Sequence, residues 1–304
     1  MNFGLLGLLA LAIVIVAVLY VVALLWRLRH PPRRTAGWAI ARGRPLDPGA
    51  VGAAWREVEA SGLPLWLVGR DEATLERSDA PLAVLLHGWG NSRLDWLGRL
   101  EPWLSSGFRL AIPDLRGHGD APGASTLGDA DREDVLAILR GIGAVGSASS
   151  PPLVLVGHSL GSVVALRVAA ALGDHEVDLR GVVAFAPYER LRTPAVAELA
   201  SREAEVGVLL PALLAGLRFL GVREHSTSDA ARAIRTPLVI VHGAADLISP
   251  LEDARAIAAA SPQAELLVLD GAGHLDLWSR PVDPASQAPS VEEVLRSRVE
   301  AWLR

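Results

Sequence analysis

Three residues of this 304-residue chain have the types and the order that acyl transfer needs: Ser159, Asp246 and His274. A serine hydroxyl attacks a carbonyl carbon only when a base takes its proton and an acid orients that base. Ser159 sits in Gly157-His158-Ser159-Leu160-Gly161, after the apolar run Val154-Leu155-Val156 and before the helix-forming stretch Leu160–Leu172. Strand, tight turn and helix is the setting in which Gly-x-Ser-x-Gly holds a serine on a strained elbow. Side chains at Gly157 or Gly161 would collide with the neighbouring strand or helix. The hydroxyl then stands at the carboxyl edge of a sheet, where the helix N-terminus points its amides.

The base must come from eight histidines. His30 lies in a linker, and His158, inside the elbow, is expected to point elsewhere. His87, His118 and His242 adjoin glycines in turns after strands, where packing accounts for them. His175 and His225 carry no motif. His274, in Gly271-Ala272-Gly273-His274 just after the last expected strand, is placed to reach Ser159. The orienting acid should fall between the two in sequence, again after a strand. Asp246 does so, following Leu238–Val241 and preceding Ser249-Pro250. Asp270 is expected to end its strand and Asp276 to face solvent. An oxyanion hole needs two backbone amides. Leu160, next to the nucleophile, offers one; Trp89, in Leu86-His87-Gly88-Trp89-Gly90, offers the other.

Composition removes several rival chemistries. The chain has no cysteine, which excludes disulfides, thiolate catalysis and cysteine-based metal sites. Every basic residue is arginine, so Schiff-base chemistry and a P-loop lysine are excluded too. Gly141-Ile142-Gly143-Ala144-Val145-Gly146 spells a dinucleotide fingerprint. It follows a helix and leads into a loop, the wrong setting for a phosphate site. No histidine and acid share helical ligand spacing with a third partner, so no metal is expected, and the chemistry needs no cofactor. Residues 1–50 carry six arginines against Asp47, a balance of +5; with −5 overall, the remainder carries −10. An acidic body gives no footprint for nucleic acid.

The elements that must position these residues alternate. An antiparallel hairpin is expected over Arg56–Ala60 and Leu63–Val68, turning at Ser61-Gly62. Strands follow at Leu82–Leu86, Phe108–Ile112, Leu153–Val156, Gly181–Phe185, Leu238–Val241 and Glu265–Leu269. Helices are expected at Ser92–Ser105, Thr126–Arg140, Leu160–Leu172, Leu251–Ala260 and Val291–Trp302. Continuous apolar strands separated by helices imply a mostly parallel α/β sheet with helices on both faces. One insertion, at about 190–228, is too long for a single crossover and reads as a small helical cap. It includes the apolar Val206–Leu220 with Pro211 inside.

Ahead of this body, Phe3 to Trp26 is an unbroken apolar run. As a helix it is roughly 36 Å long, enough for a bilayer core of about 30 Å. Residues 1–26 are therefore expected to form one transmembrane helix, with the lipid bilayer contacting residues 3–26. A cleaved signal peptide would be shorter, with a basic start and a small-residue cleavage site. Arg27, Arg29, Arg33 and Arg34 follow the span and no basic residue precedes it. The positive-inside rule then puts the catalytic body on the cytoplasmic side of the cell membrane. Residues 27–50, with Pro31-Pro32 and Pro45, read as a basic, semi-extended linker to a body at 51–304.

The order Ser159, Asp246, His274 resembles that of the α/β-hydrolase superfamily. So do His87-Gly88-Trp89-Gly90 after one strand and Asp114-Leu115-Arg116-Gly117-His118-Gly119 after the next. The likeness spans residues 80 to 304 and is to the monoacylglycerol-lipase-like and serine-aminopeptidase-like branch. Thr126-Leu127-Gly128 followed by Asp134-Val135 is similar to membrane-tethered bacterial members with one N-terminal span. The resemblance implies an α/β-hydrolase fold in which Asp114 and Arg116 brace loops without catalysing. Ser162 departs from the further glycine that many relatives carry there. A serine at the elbow argues against the dehalogenase and epoxide-hydrolase chemistries of this fold. The implied substrate is a small-molecule ester or acyl compound, with aminopeptidase or thioesterase activity as alternatives. A tethered binding protein with an inactive hydrolase fold is the non-enzymatic alternative. Nothing in the sequence fixes the oligomeric state.

Overall fold

The computed structural model describes residues 3–147, 149–173, 177–200, 206–282 and 289–304. Eight strands form one sheet: β1 (Ala54–Ala60), β2 (Leu63–Gly69), β3 (Leu82–Leu86), β4 (Arg109–Pro113), β5 (Leu153–His158), β6 (Leu179–Phe185), β7 (Leu238–Gly243) and β8 (Ala264–Leu269). Their order is β1-β2-β4-β3-β5-β6-β7-β8. β1 and β2 are an antiparallel hairpin and β2 is antiparallel to β4, while all later neighbours are parallel.

The helices are α1 (Phe3–Arg29), α2 (Ala36–Ile40), α3 (Glu72–Glu76), α4 (Glu101–Ser105), α5 (Asp131–Gly141), α6 (Leu160–Leu172), α7 (Arg192–Ala200), α8 (Val206–Phe219), α9 (Thr227–Ala233), α10 (Leu251–Ala260) and α11 (Val291–Trp302). The central strands carry apolar residues at every position because both sheet faces are covered. Leu82, Val84 and Leu86 of β3 point to one core, with α5, α6, α9 and α10. Ala83 and Leu85 point to the other, with α4, α11 and the tryptophans Trp96, Trp103 and Trp278. This period-two alternation is that of any strand; only the two-sided burial hides it from a hydropathy reading. Each large side chain so buried contributes about 1.5–3 kcal/mol.

Four expectations are corrected. The helix expected at Ser92–Ser105 is a 3-10 turn, Arg93–Arg99, followed by the short α4, with Pro102 in its first turn. Ser92 caps it with a reciprocal bond to Asp95, and Pro102 has no amide to carry a longer helix through. The helix expected from Thr126 begins only at Asp131, because the Thr126 hydroxyl and the Gly128 amide both bond to the Asp131 carboxylate and hold residues 126–130 as a turn. Of the segment expected as cap, α9 packs into the core beside α6 and α10, with Ala231 and Ile234 buried there. α7 and α8 pack on each other, and α8 packs on α1; residues 201–205 between α7 and α8, like His175, lie outside the described residues.

The fourth correction concerns the linker. α1 runs through Arg29, and its last turns are packed on the body. Leu24 and Leu28 are buried with Leu127, Leu191, Leu213, Leu217 and Val222. Gly216 of α8 allows the close approach, since a Cβ there would stand 2.5 Å from Leu25 Cδ1. The arginines that read as a free basic stretch are engaged. Arg29 donates to the Ser125 carbonyl, and Arg33 donates to the carbonyls of Gly119, Ala121 and Gly123 at 3.1, 2.7 and 3.2 Å. Arg34 pairs with Asp95. Residues 31–35 are a strap laid on the body rather than a loose connection.

Candidate active site

Ser159 joins β5 to α6 with φ 53° and ψ −116°, a left-handed conformation that a serine adopts only under constraint. The constraint is steric. A Cβ at Gly157 would lie 2.2 Å from the Gly161 carbonyl oxygen, and one at Gly161 would lie 2.1 Å from the Leu86 carbonyl oxygen. Strand and helix therefore approach as closely as glycine allows, and the Ser159 amide bonds to Phe185 O at 2.8 Å. Ser162, the departure from the glycine pattern, is fully buried and donates its hydroxyl to Ser159 O at 2.5 Å. The small hydroxyl thus fits the turn and braces it.

His274 and Asp246 come together after β8 and β7. His274 Nδ1 donates to Asp246 Oδ2 at 2.7 Å, which leaves Nε2 as the accepting nitrogen. Asp246 Oδ1 takes the amides of Ile248 and Ser249 at 2.8 and 2.9 Å. Burial opposes charge on Asp246, but the His274 hydrogen bond and charge and these two amides outweigh it, and the carboxyl lies below its ordinary value. The Ser159 hydroxyl makes no hydrogen bond among the described residues. It shares with His274 one cavity of about 240 Å³, walled mainly by Leu28, Leu127, Leu160, Tyr188, Leu191 and Leu275.

Trp89 lines the same cavity, and its amide makes no hydrogen bond among the described residues. The amide of Leu160, at the start of α6, has no partner within the helix. Gly88 lets the Trp89 loop come close, since a Cβ there would meet Ser159 Cβ at 3.3 Å. His87 fixes that loop: its Nδ1 donates to Gly88 O and its Nε2 accepts the Leu115 amide at 3.0 Å. Asp114 accepts the amides of Arg93 and Asp120 at 2.8 and 2.9 Å, so it holds two loops together. Burial pushes its carboxyl up to about 6, against the pull of Arg93. Arg116 makes a two-pronged pair with Asp134 of α5, at 2.8 and 2.6 Å.

His158 does not simply point away. Its ring lies 5.1 Å from that of His274, and its Nε2 donates to the His274 carbonyl at 2.9 Å, tying the elbow to the histidine loop. Nothing in a Gly-His-Ser string signals this, because the partner is a backbone atom 116 residues on. Leu28, Arg34, Asn91 and Tyr188 also line the cavity without any sequence signal. Asp276 accepts the Gly273 amide at 2.7 Å and pairs with Arg280, so it shapes the histidine loop from the solvent side. Asp270 is exposed. His225, which carried no motif, donates its Nε2–H to Asp129 Oδ1 at 2.7 Å. Among the described residues no cluster of three or more His, Asp or Glu could hold a metal.

A model of the alpha/beta hydrolase family matches residues 83–288. The chain belongs to the α/β-hydrolase family. Over 250 residues, 71% of this hydrolase and 98% of the relative, it is 30% identical to a pimeloyl-(acyl-carrier protein) methyl ester esterase of Aromatoleum aromaticum. Its fold resembles that of an esterase of Pyrococcus furiosus, with a TM-score of 0.65 at 20% identity, covering 91% of this chain and 98% of that one. It also resembles a bacterial membrane phospholipase A, with a TM-score of 0.57 at 17% identity over 100% of both chains.

The buried histidines of this hydrolase make its stability pH-dependent. Burial lowers His87 to about 4 and His118 and His158 to about 3, from an ordinary 6.5. Between these values the unfolded chain binds protons that the folded chain does not. Stability is therefore present above pH 6.5 and lost as the solution is acidified, by up to about 1.4 kcal/mol per pH unit for each histidine. Thermal melts should give a lower Tm at pH 5 than at pH 7, and His118→Gln should shrink that difference. An unchanged difference in His118→Gln would remove His118 from the account.

Proposed function

We propose that this α/β hydrolase is a membrane-tethered serine esterase that cleaves carboxylic esters through an acyl-enzyme. The observation that carries the reading is the 2.7 Å bond from His274 Nδ1 to Asp246, made at the rim of the cavity that also holds the strained Ser159. With its proton on Nδ1, His274 has Nε2 free to accept the Ser159 proton. Ser159 Oγ attacks the ester carbon, and the amides of Leu160 and Trp89 receive the developing oxyanion. The imidazolium, stabilised by Asp246, returns the proton to the leaving alcohol as the ester C–O bond breaks. Water then attacks the acyl-enzyme by the same proton path, releasing the acid and restoring Ser159.

The cavity wall supports an ester over an amino-acyl amide. It is largely apolar and carries no carboxylate among the described residues, with Arg34 its one guanidinium. An aminopeptidase must hold a substrate ammonium, and a buried ammonium needs a carboxylate partner. α1 supports the tether. Leu6–Arg29 is long and apolar enough to cross a membrane, with a mean hydropathy of 3.3 and 6% of its most apolar window buried. With Leu24 and beyond docked on the body, Phe3–Ala23 still gives roughly 31 Å of apolar helix. The burial of Leu24 and Leu28 against the cap supports an anchor over a cleaved leader. The following arginines favour a body on the cytoplasmic side of the cell membrane.

Purified full-length protein in detergent micelles should be labelled by a fluorophosphonate. It should also hydrolyse p-nitrophenyl acyl esters at least about tenfold faster than the corresponding aminoacyl anilides, measured as kcat/KM. Faster anilide cleavage would replace the esterase reading with the aminopeptidase one, preferred acyl thioesters would make it a thioesterase, and an unlabelled, inactive protein would favour a binding role.

A further inference from the structure

Leu28 belongs to the last turn of α1, yet it forms part of the wall of the cavity that holds Ser159 and His274. Its side chain is 6% exposed and packs with Leu127 and Leu191, which line the same cavity. Its carbonyl oxygen accepts the indole Nε1–H of Trp89 at 2.9 Å. Trp89 is the residue whose amide is placed here in the oxyanion hole. The turn itself is held from both sides. Leu25 lies against Gly216 of the cap, and the Arg29 carbonyl accepts the Ser125 amide at 2.7 Å.

We infer that Leu28 is a specificity-determining and positioning residue for ester cleavage. Its side chain closes the acyl end of the cavity, and its carbonyl, acting through the Trp89 indole, aims the oxyanion amide. The inference rests on the esterase reading above. Acyl methylenes laid against such an apolar wall each raise kcat/KM about fourfold until the space is filled. The residue that ends the space therefore sets the preferred chain length. An indole held at one edge also leaves the Trp89 backbone less freedom than a loop fastened only at its ends, and misplacing an oxyanion donor weakens transition-state binding without weakening ground-state binding.

The test uses the full-length protein in dodecyl maltoside micelles with p-nitrophenyl acetate, butyrate, octanoate and dodecanoate. Leu28→Trp should lower kcat/KM for octanoate at least about tenfold more than it lowers kcat/KM for acetate. Leu28→Ala, which tests the same point should the tryptophan variant not fold, should move the optimum toward dodecanoate. Trp89→Phe, which keeps the ring and loses the Nε1–H, should lower kcat about tenfold on every ester with KM for acetate unchanged. A merely structural Leu28 would scale all four esters by one factor. That result, or a Trp89→Phe enzyme with wild-type kcat, overturns the inference while leaving the esterase reading intact. A wild-type protein that turns over none of the four esters overturns the esterase reading and takes this inference with it.

Discussion

Ser159→Ala is expected to lower kcat by at least about 10⁴-fold with KM changed by less than about threefold. Alanine removes one oxygen from a turn whose shape is set by Gly157 and Gly161, so the fold has no reason to change. Ground-state contacts along the apolar wall stay, while the covalent step disappears. What remains is the catalysis available from the oxyanion amides acting on water. The measurement is steady-state hydrolysis of a p-nitrophenyl ester together with fluorophosphonate labelling, which should vanish. An alanine enzyme that retains more than about a tenth of wild-type kcat would show that another group is the nucleophile.

Asp246→Asn is expected to cost about 10³–10⁴-fold in kcat. Oδ1 already holds the amides of Ile248 and Ser249, so the asparagine oxygen would stay there and its NH₂ would face His274. The imidazole must then present a lone pair from Nδ1, which moves its proton to Nε2 and spoils it as a base toward Ser159. Positive charge on the ring would also lose its counter-charge. Stability carries a second signature. The Asp246 carboxyl is depressed in the fold, so its contribution is full above the unfolded value near pH 4 and is lost as pH falls through the folded value. The wild-type advantage in Tm over Asp246→Asn at pH 7 should therefore close in strongly acidic solution. A kcat within about tenfold of wild type would place the orienting acid elsewhere.

The parts of the fold that the sequence discloses are those where one local cause dominates. β3, with five buried residues, and α10 and α11, with clear apolar faces and no internal proline, lie where their patterns put them. The strands that precede Ser159, Asp246 and His274 show as apolar runs, so the sheet edge they share is readable in advance. The rest depends on distant partners. A hydroxyl and an amide bonding to Asp131 delay the start of α5, and a proline in its first turn confines α4. The union of His158 with the His274 carbonyl, and of Trp89 with that of Leu28, joins a side chain to a backbone oxygen. Any residue type supplies such an oxygen, so no string of letters can mark it. The docked strap was hidden for the same reason: Arg33 is satisfied by three carbonyls, and a basic run looks alike whether its charges meet solvent or protein.

That strap has a bearing on what the proposed membrane tether would mean for the enzyme if the chain were cut there. Many tethered enzymes hang on a leash that one proteolytic nick severs, shedding an active soluble fragment. Here a nick at residues 31–35 would have to break the hold of Arg33 on residues 119–123, and departure of the helix ahead of it would uncover Leu127, Leu191 and Leu213. The liberated body would carry a greasy gash beside Ser159 and a tryptophan with nothing to grip. Shedding would thus disarm the enzyme rather than mobilise it.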